Sequence, residues 1–168
     1  MEQTDITSMQ RLVTENVFVI REATLNELPI LIDQRRNMYL DMGYTDTSRL
    51  DSLEQAFAQW AQDRIADGYY RNWIIESHDG LVVAGAGLWL MEYPPQMMDF
   101  EPYRAYIMNV YTDPEFRGRG LAKQLIQTIL NWCHENGIHT VSLHASDAGR
   151  PLYESLGFCS TTELRIQL

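Results

Sequence analysis

The 168-residue chain carries 23 acidic against 13 basic residues, a formal net charge of −10, with ordinary apolar and charged fractions. That length suits one domain with a sizeable core. The acidity argues against general nucleic-acid binding, which needs a basic footprint, and leans toward a small cationic partner such as an amine. Cys133 and Cys159 lack CxxC spacing, so they make neither a zinc site nor a disulfide framework. No metal is expected, and both thiols read as buried and free in a reducing compartment. With no apolar run of membrane-spanning length and no basic-then-apolar leader, the expected location is cytoplasmic, with neither membrane nor nucleic acid as partner.

Residues 1–17 are polar with scattered apolar side chains and read as an N-terminal tail before a single domain, 18–168. Phe18–Ala23 reads as the first strand. Thr24 and Glu27 have the spacing of a capping box, and Leu28, Leu31, Ile32, Arg35, Met38 and Tyr39 follow at helical spacing, with Pro29 tolerated in the first turn. The segment 41–46 breaks that helix. A second runs from about Ser48 to Ala66, with Leu53, Phe57, Trp60 and Arg64 on one face and Gly68 ending it. Trp73–Ser77 and Leu81–Leu90 read as a hairpin about Asp79-Gly80. The returning strand holds Ala84, Gly85, Ala86 and Gly87, and such a strand packs weakly unless something approaches it closely. The segment 91–102 is a proline-punctuated loop whose charges Glu92, Asp99 and Glu101 read as solvated.

The chain is organised around the stretch from Met108 to Ala122. Arg104–Thr112 is a β-prone run, Asp113-Pro114 turns it, and a basic, glycine-punctuated segment opens into an amphipathic helix from Gly120 to about Asn136. Strand, tight loop and helix N-terminus together can hold a phosphate, because first-turn N–H groups lack intrahelical partners and carry the positive end of the helix dipole. Gly118 and Gly120 let an anion approach the backbone, and Arg117, Arg119 and Lys123 add positive charge. No Gly-Lys-Ser/Thr ending marks a P-loop, and no G-x-G-x-x-G with a matching acid marks a dinucleotide site. Beyond lie a short strand, 140–145, a helix from about Gly149 to Leu156 with Pro151 in its first turn, and two last strands, 158–161 and 163–167. The order β-α-α-β-β-β-α-β-α-β-β predicts one α/β domain around a mixed, largely antiparallel sheet.

Arg117, Gly120 and Ala122 match Arg-x-x-Gly-x-Ala, and Leu152-Tyr153 with Gly157-Phe158 match Leu-Tyr-x-x-x-Gly-Phe about thirty residues on. In this order the two motifs resemble those of the GCN5-related N-acetyltransferase (GNAT) family, from about Phe18 to the C-terminus and most sharply over 105–158. The resemblance implies acetyl-CoA as cosubstrate, with no metal. Backbone N–H groups from Gly118 through Arg119, Gly120 and Leu121 to Ala122 would take the pyrophosphate, with Arg117 and Arg119 supplying long-range charge, and main chain at Val110 and Thr112 would pair with the pantetheine arm. A backbone N–H near Asn109 or Val110 would polarise the thioester carbonyl. Many relatives have Asn where this chain has Ser146, whose hydroxyl can still hydrogen-bond the arm.

Tyr153 falls on the family's tyrosine and is the expected acid for the leaving thiolate, since a phenol with a pKa near ~10 is protonated at neutral pH. No base is evident. A water-mediated path is expected, with His144 as a candidate relay and Tyr39, Met42 and Tyr44 as acceptor-site candidates. The resemblance thus implies an acetyl-CoA-dependent N-acetyltransferase acting on a primary amine of a small molecule or peptide by direct attack in a ternary complex. It is compatible with a homodimer. The competing reading is a catalytically silent acyl-CoA-binding or sensor module, and a third is an unrelated phosphate-binding α/β protein.

Overall fold

The computed structural model describes residues 18–168, so the N-terminal tail lies outside the described residues. Five strands form one sheet in the order β1 (Val19–Glu22), β2 (Tyr70–Glu76), β3 (Val82–Glu92), β4 (Tyr103–Thr112) and β5 (Val141–Leu143). All pairings are antiparallel except β4 with β5, which is parallel. Helices α1 (Leu28–Asp41) and α2 (Thr47–Ala66) cover one face, and α3 (Leu121–Glu135) covers the other. The short α4 (Arg150–Ser155) follows β5.

Local chemistry explains the boundaries. The Thr24 N–H donates to the Glu27 carboxylate at 2.7 Å, opening a 3-10 turn that leads into α1. Asp46 caps α2 by accepting from the Arg49 N–H at 3.1 Å. α3 has the most sharply apolar stripe: Leu121, Leu125, Ile126, Ile129 and Cys133 are each at most 2% exposed. They pack on Trp73, Ile75, Ala84, Ala86, Leu88, Ala105 and Ile107.

The two glycines of β3 mark close approach on the opposite face. A Cβ at Gly85 would stand 2.1 Å from Gln34 Oε1, and one at Gly87 would stand 2.4 Å from the Tyr70 hydroxyl. Helix α1 and the fully buried Tyr70 ring lie directly on this bare backbone, which is why the small-residue strand packs well.

Four expectations need correction. β2 begins at Tyr70 rather than Trp73, because Tyr70 is drawn inward by edge-on contacts with Phe57 and Trp60, at 6.1 and 5.0 Å between ring centroids. The two last strands do not form: residues 158–168 have no regular structure, and Leu164, Ile166 and Leu168 are 80–110% exposed. Alternation sets which side chains share a face, but a strand also needs a neighbour for its N–H and C=O groups, and the three-residue β5 offers little edge. Cys159 therefore lies exposed, whereas Cys133 is buried, its thiol pushed up to about 11 by desolvation. Finally, Asp99 is buried rather than solvated. It accepts from Thr140 Oγ1 at 2.5 Å and from the Glu101 N–H at 3.2 Å, tying the 93–102 loop to the start of β5.

Candidate active site

The site is built where β4 changes neighbours. β5 pairs with β4 only at Ala105, Tyr106 and Ile107, so β4 from Met108 to Thr112 has β3 on one side and no described strand on the other. Here the register with β3 also slips by one: Gly87 faces Met108 and Gly85 faces Tyr111, so Ala86 opposes both Asn109 and Val110. This is a β-bulge, which kinks the strand and re-aims a side chain. Asn109 takes φ +55, the sole positive φ at a non-glycine among the described residues, and asparagine is among the residues that tolerate it best. Val110 and Thr112 both lie on this stretch of β4, beyond its pairing with β5.

Asn109 ties three elements together. Its Nδ2 donates to the Tyr70 hydroxyl at 2.8 Å, and its Oδ1 accepts from Arg35 Nη1 on α1. Burial pushes the Tyr70 phenol well above the ordinary tyrosine range. Arg35 Nη2 donates to the Tyr39 hydroxyl at 3.2 Å, and the guanidinium carbon stands 4.5 Å from the Phe57 ring centroid.

Downstream of the bulge, Asp113 caps a 3-10 turn, Pro114–Phe116, and the chain reaches α3 through Arg117-Gly118-Arg119-Gly120. Gly118 and Gly120 adopt φ +75 and +76, and a Cβ at either would meet nothing within 4 Å. Backbone handedness, not crowding, therefore demands glycine in this loop. The first bond closing α3 runs from the Gln124 N–H to the Gly120 carbonyl at 3.1 Å, which leaves the N–H groups of Leu121, Ala122 and Lys123 as first-turn donors. That cradle can take an anionic group. Arg117 is already engaged: Nε donates to the Thr112 carbonyl at 2.9 Å and Nη2 pairs with Asp41 at the end of α1. Arg119 stacks on Phe116 at 5.1 Å and donates to the Glu115 carbonyl.

The second motif also has a physical basis. Gly157, at φ +93, ends α4 with its N–H on the Glu154 carbonyl, while the Phe158 N–H reaches the Tyr153 carbonyl at 3.1 Å. This is a Schellman closure, and its apolar partner contact is the edge-on pair Tyr153–Phe158 at 5.9 Å. Gly-Phe thus locks the helix turn that carries Tyr153. The ring also lies over Gly149, where a Cβ would meet it at 3.1 Å. Half-buried, the Tyr153 phenol is pushed up by desolvation and holds its proton at neutral pH. Ser146 Oγ accepts from the Gly149 N–H at 3.1 Å, so one of its lone pairs is spent on the turn.

At the end of β5, His144 Nδ1 meets the Tyr106 hydroxyl, joining two residues that the sequence offered separately. Tyr39 and Tyr44 meet edge-on at 5.5 Å, while Met42 stands 55% exposed beside them. Arg35, Tyr70 and Asp41 were not anticipated as site residues, nor was the pairing of Arg117 with Asp41. The available signal was a charge in the otherwise apolar stripe Leu28, Leu31, Ile32, Arg35, Met38. Among the described residues no group of three or more His, Cys, Asp or Glu could hold a metal, and no helix is long and apolar enough to cross a membrane.

Comparison with known proteins bears on the family and the fold. Among solved structures, a GCN5-related N-acetyltransferase from Ralstonia eutropha JMP134 superposes with a TM-score of 0.84 at 31% identity, covering 90% of this chain and 99% of that one. A predicted acetyltransferase from Clostridium acetobutylicum, solved with acetyl-CoA, superposes at 0.81 with 26% identity, covering 90% and 96%. A glucosamine 6-phosphate N-acetyltransferase of Trypanosoma brucei brucei is 40% identical over 53 residues, 32% of this chain and 36% of that protein. Human N-acetyltransferase 8B is 30% identical over 92 residues, 53% of this chain and 38% of that protein. The matched segments therefore span little more than a third of these two curated relatives. The model of the acetyltransferase (GNAT) family matches residues 34–158, well over half the chain and inclusive of both motifs. The chain belongs to the GNAT family of acetyltransferases.

Proposed function

We propose that the protein transfers the acetyl group of acetyl-CoA to a primary amine of a small molecule or peptide by direct attack in a ternary complex. The observation that carries this reading is the coincidence of the Asn109 bulge with the point where β4 loses β5, on a strand that runs straight into the first turn of α3. The residues present fit the cosubstrate: an open main-chain edge for an amide-bearing arm lies beside a cradle of N–H donors for a pyrophosphate.

In this reading the N–H groups of Gly118 to Ala122 hold the pyrophosphate, with charge from Arg117 and Arg119. Val110 and Thr112 hold the arm through main chain, and the Ser146 hydroxyl supplies one side contact. When bound, acetyl-CoA supplies an acyl carbon activated as a thioester. The N–H beside the Asn109 bulge polarises the carbonyl, a contribution of about 3 kcal/mol for a well-placed donor. As the carbon–sulfur bond breaks, the Tyr153 hydroxyl donates its proton to the departing sulfur. The acceptor's proton leaves through water, with Tyr106–His144 as a side-chain relay.

A thermal-shift titration with acetyl-CoA and CoA, with ATP and NAD as controls, tests the reading. At a hundredfold excess over Kd a native-state ligand stabilises by about 2.7 kcal/mol. Stabilisation by the CoA forms alone, followed by amine-dependent thiol release, is expected. No shift with either CoA form overturns the reading, and binding without thiol release across an amine panel turns it into the sensor reading.

A further inference from the structure

We propose that Arg35 is an anion site for the acyl acceptor, so that the amine acetylated by this protein also carries a carboxylate or phosphate group. The proposal rests on the acetyl-transfer reading above and names its substrate class. Arg35 projects from α1 onto the bulge, half-buried, with its guanidinium 4.5 Å from the Phe57 ring centroid and 5.1 Å from that of Tyr39. Its hydrogen-bond partners, Asn109 Oδ1 and the Tyr39 hydroxyl, are both neutral.

The contrast with other arginines is direct. Arg21 is held by Glu27 and Glu76, Arg36 by Asp51 and Glu54, Arg71 by Glu22, and Arg117 by Asp41. Arg35 pairs with no carboxylate among the described residues. Its Nε is moreover the buried side-chain nitrogen left without any hydrogen-bond partner among them. A planar guanidinium has five N–H donors in a fork that suits carboxylate and phosphate oxygens. Here two of its nitrogens are used, aromatic faces hold it in place, and no carboxylate among the described residues lies within ion-pair distance.

Position supplies the link to the reaction. Asn109 is the bulged residue on the strand edge proposed to hold the thioester, and Arg35 is its direct side-chain partner. An anion on Arg35 therefore sits one side chain from the reacting carbonyl, on the α1 side of the sheet. The net charge of −10 suggests a cationic acceptor, but the charged group nearest the bulge is the half-buried Arg35 guanidinium, and a nearby, half-buried charge is screened less than distant surface charges.

The test is thiol-release kinetics with matched primary amines: phenylalanine against phenylalaninamide, glycine against glycinamide, and O-phosphoethanolamine against ethanolamine. The wild type is expected to favour the anionic member of at least one pair by roughly 10- to 100-fold in kcat/KM, the range of a charge-assisted hydrogen bond. Which pair responds separates carboxylate from phosphate. Arg35→Gln is expected to raise KM for the anionic member and bring the ratio within the pair close to one, while Arg35→Lys, which keeps the charge, retains part of the preference. The proposal is overturned if the wild type uses the neutral members equally well, or if Arg35→Gln lowers both members in proportion, as a purely structural arginine would. If acetyl-CoA stabilises the wild type and no anionic acceptor is turned over, the anion site alone falls. If acetyl-CoA does not bind, the acetyl-transfer reading falls with it.

Discussion

The two faces of the sheet are built to different rules. On the α3 face, apolar side chains at most 5% exposed meet apolar side chains, from Trp73 and Ile75 to Leu125 and Ile129. On the α1 face the buried cluster is small, Phe57, Ala61 and Tyr70, and the space beside it holds Gln34, Arg35 and Asn109. That second face contains a left-handed asparagine, glycines pressed by side chains and an unpartnered guanidinium nitrogen, each unfavourable for folding alone. The difference teaches where stability is made and where it is spent. The α3 face holds the sheet firmly enough for the opposite face to keep a polar network with one nitrogen, Arg35 Nε, unpartnered among the described residues.

The comparison can be broken most severely from the stable side. Leu125→Ala, at a fully buried position, is expected to cost about 2–5 kcal/mol by cavity formation, read by denaturant unfolding. Residual folded enzyme should keep its acceptor KM, because the cavity lies on the face away from the Arg35–Asn109 network. Tyr153→Phe should leave folding and CoA binding intact while lowering kcat by about a hundredfold, the lower range for a lost general acid. Single-turnover kinetics would check this, and unchanged kcat would remove Tyr153 from the chemistry.

Gly87→Ala sharpens the contrast. The added methyl would stand 2.4 Å from the Tyr70 hydroxyl, and overpacking of this kind costs about 1–3 kcal/mol. Since Tyr70 anchors Asn109, thermal melting and acceptor KM should shift together. The smallest expected effect is at the rim. Asp41 and Arg117 are both about half-exposed, and such pairs are worth about 0.2–1 kcal/mol. Asp41→Asn frees Arg117 and should tighten acetyl-CoA by about two- to fivefold in a calorimetric titration.

Much of the fold and the site was legible in the sequence wherever the cause was local. Gly118, Gly120 and Gly157 sit where the backbone must turn left-handed, so the loop into α3 and the turn after Tyr153 were legible as turns. What was illegible depends on distant partners. Arg35 reads as one more helical position, and its meaning comes from Asn109, 74 residues away. Tyr70 enters β2 because Phe57 and Trp60 receive it, and Asp99 is buried because Thr140 meets it. The residues Leu164, Ile166 and Leu168 show the converse: a clear local alternation that found no neighbouring strand. The bulge itself has no local signature beyond an asparagine, because it is a property of the register between two strands.

The most direct test of the account is backbone hydrogen exchange on the whole protein, with and without saturating acetyl-CoA. The account predicts new protection in two segments, the β4 edge from Met108 to Thr112 and the loop and first turn from Gly118 to Lys123. Saturation with protection absent from both segments, or confined to another edge of the sheet, would contradict it.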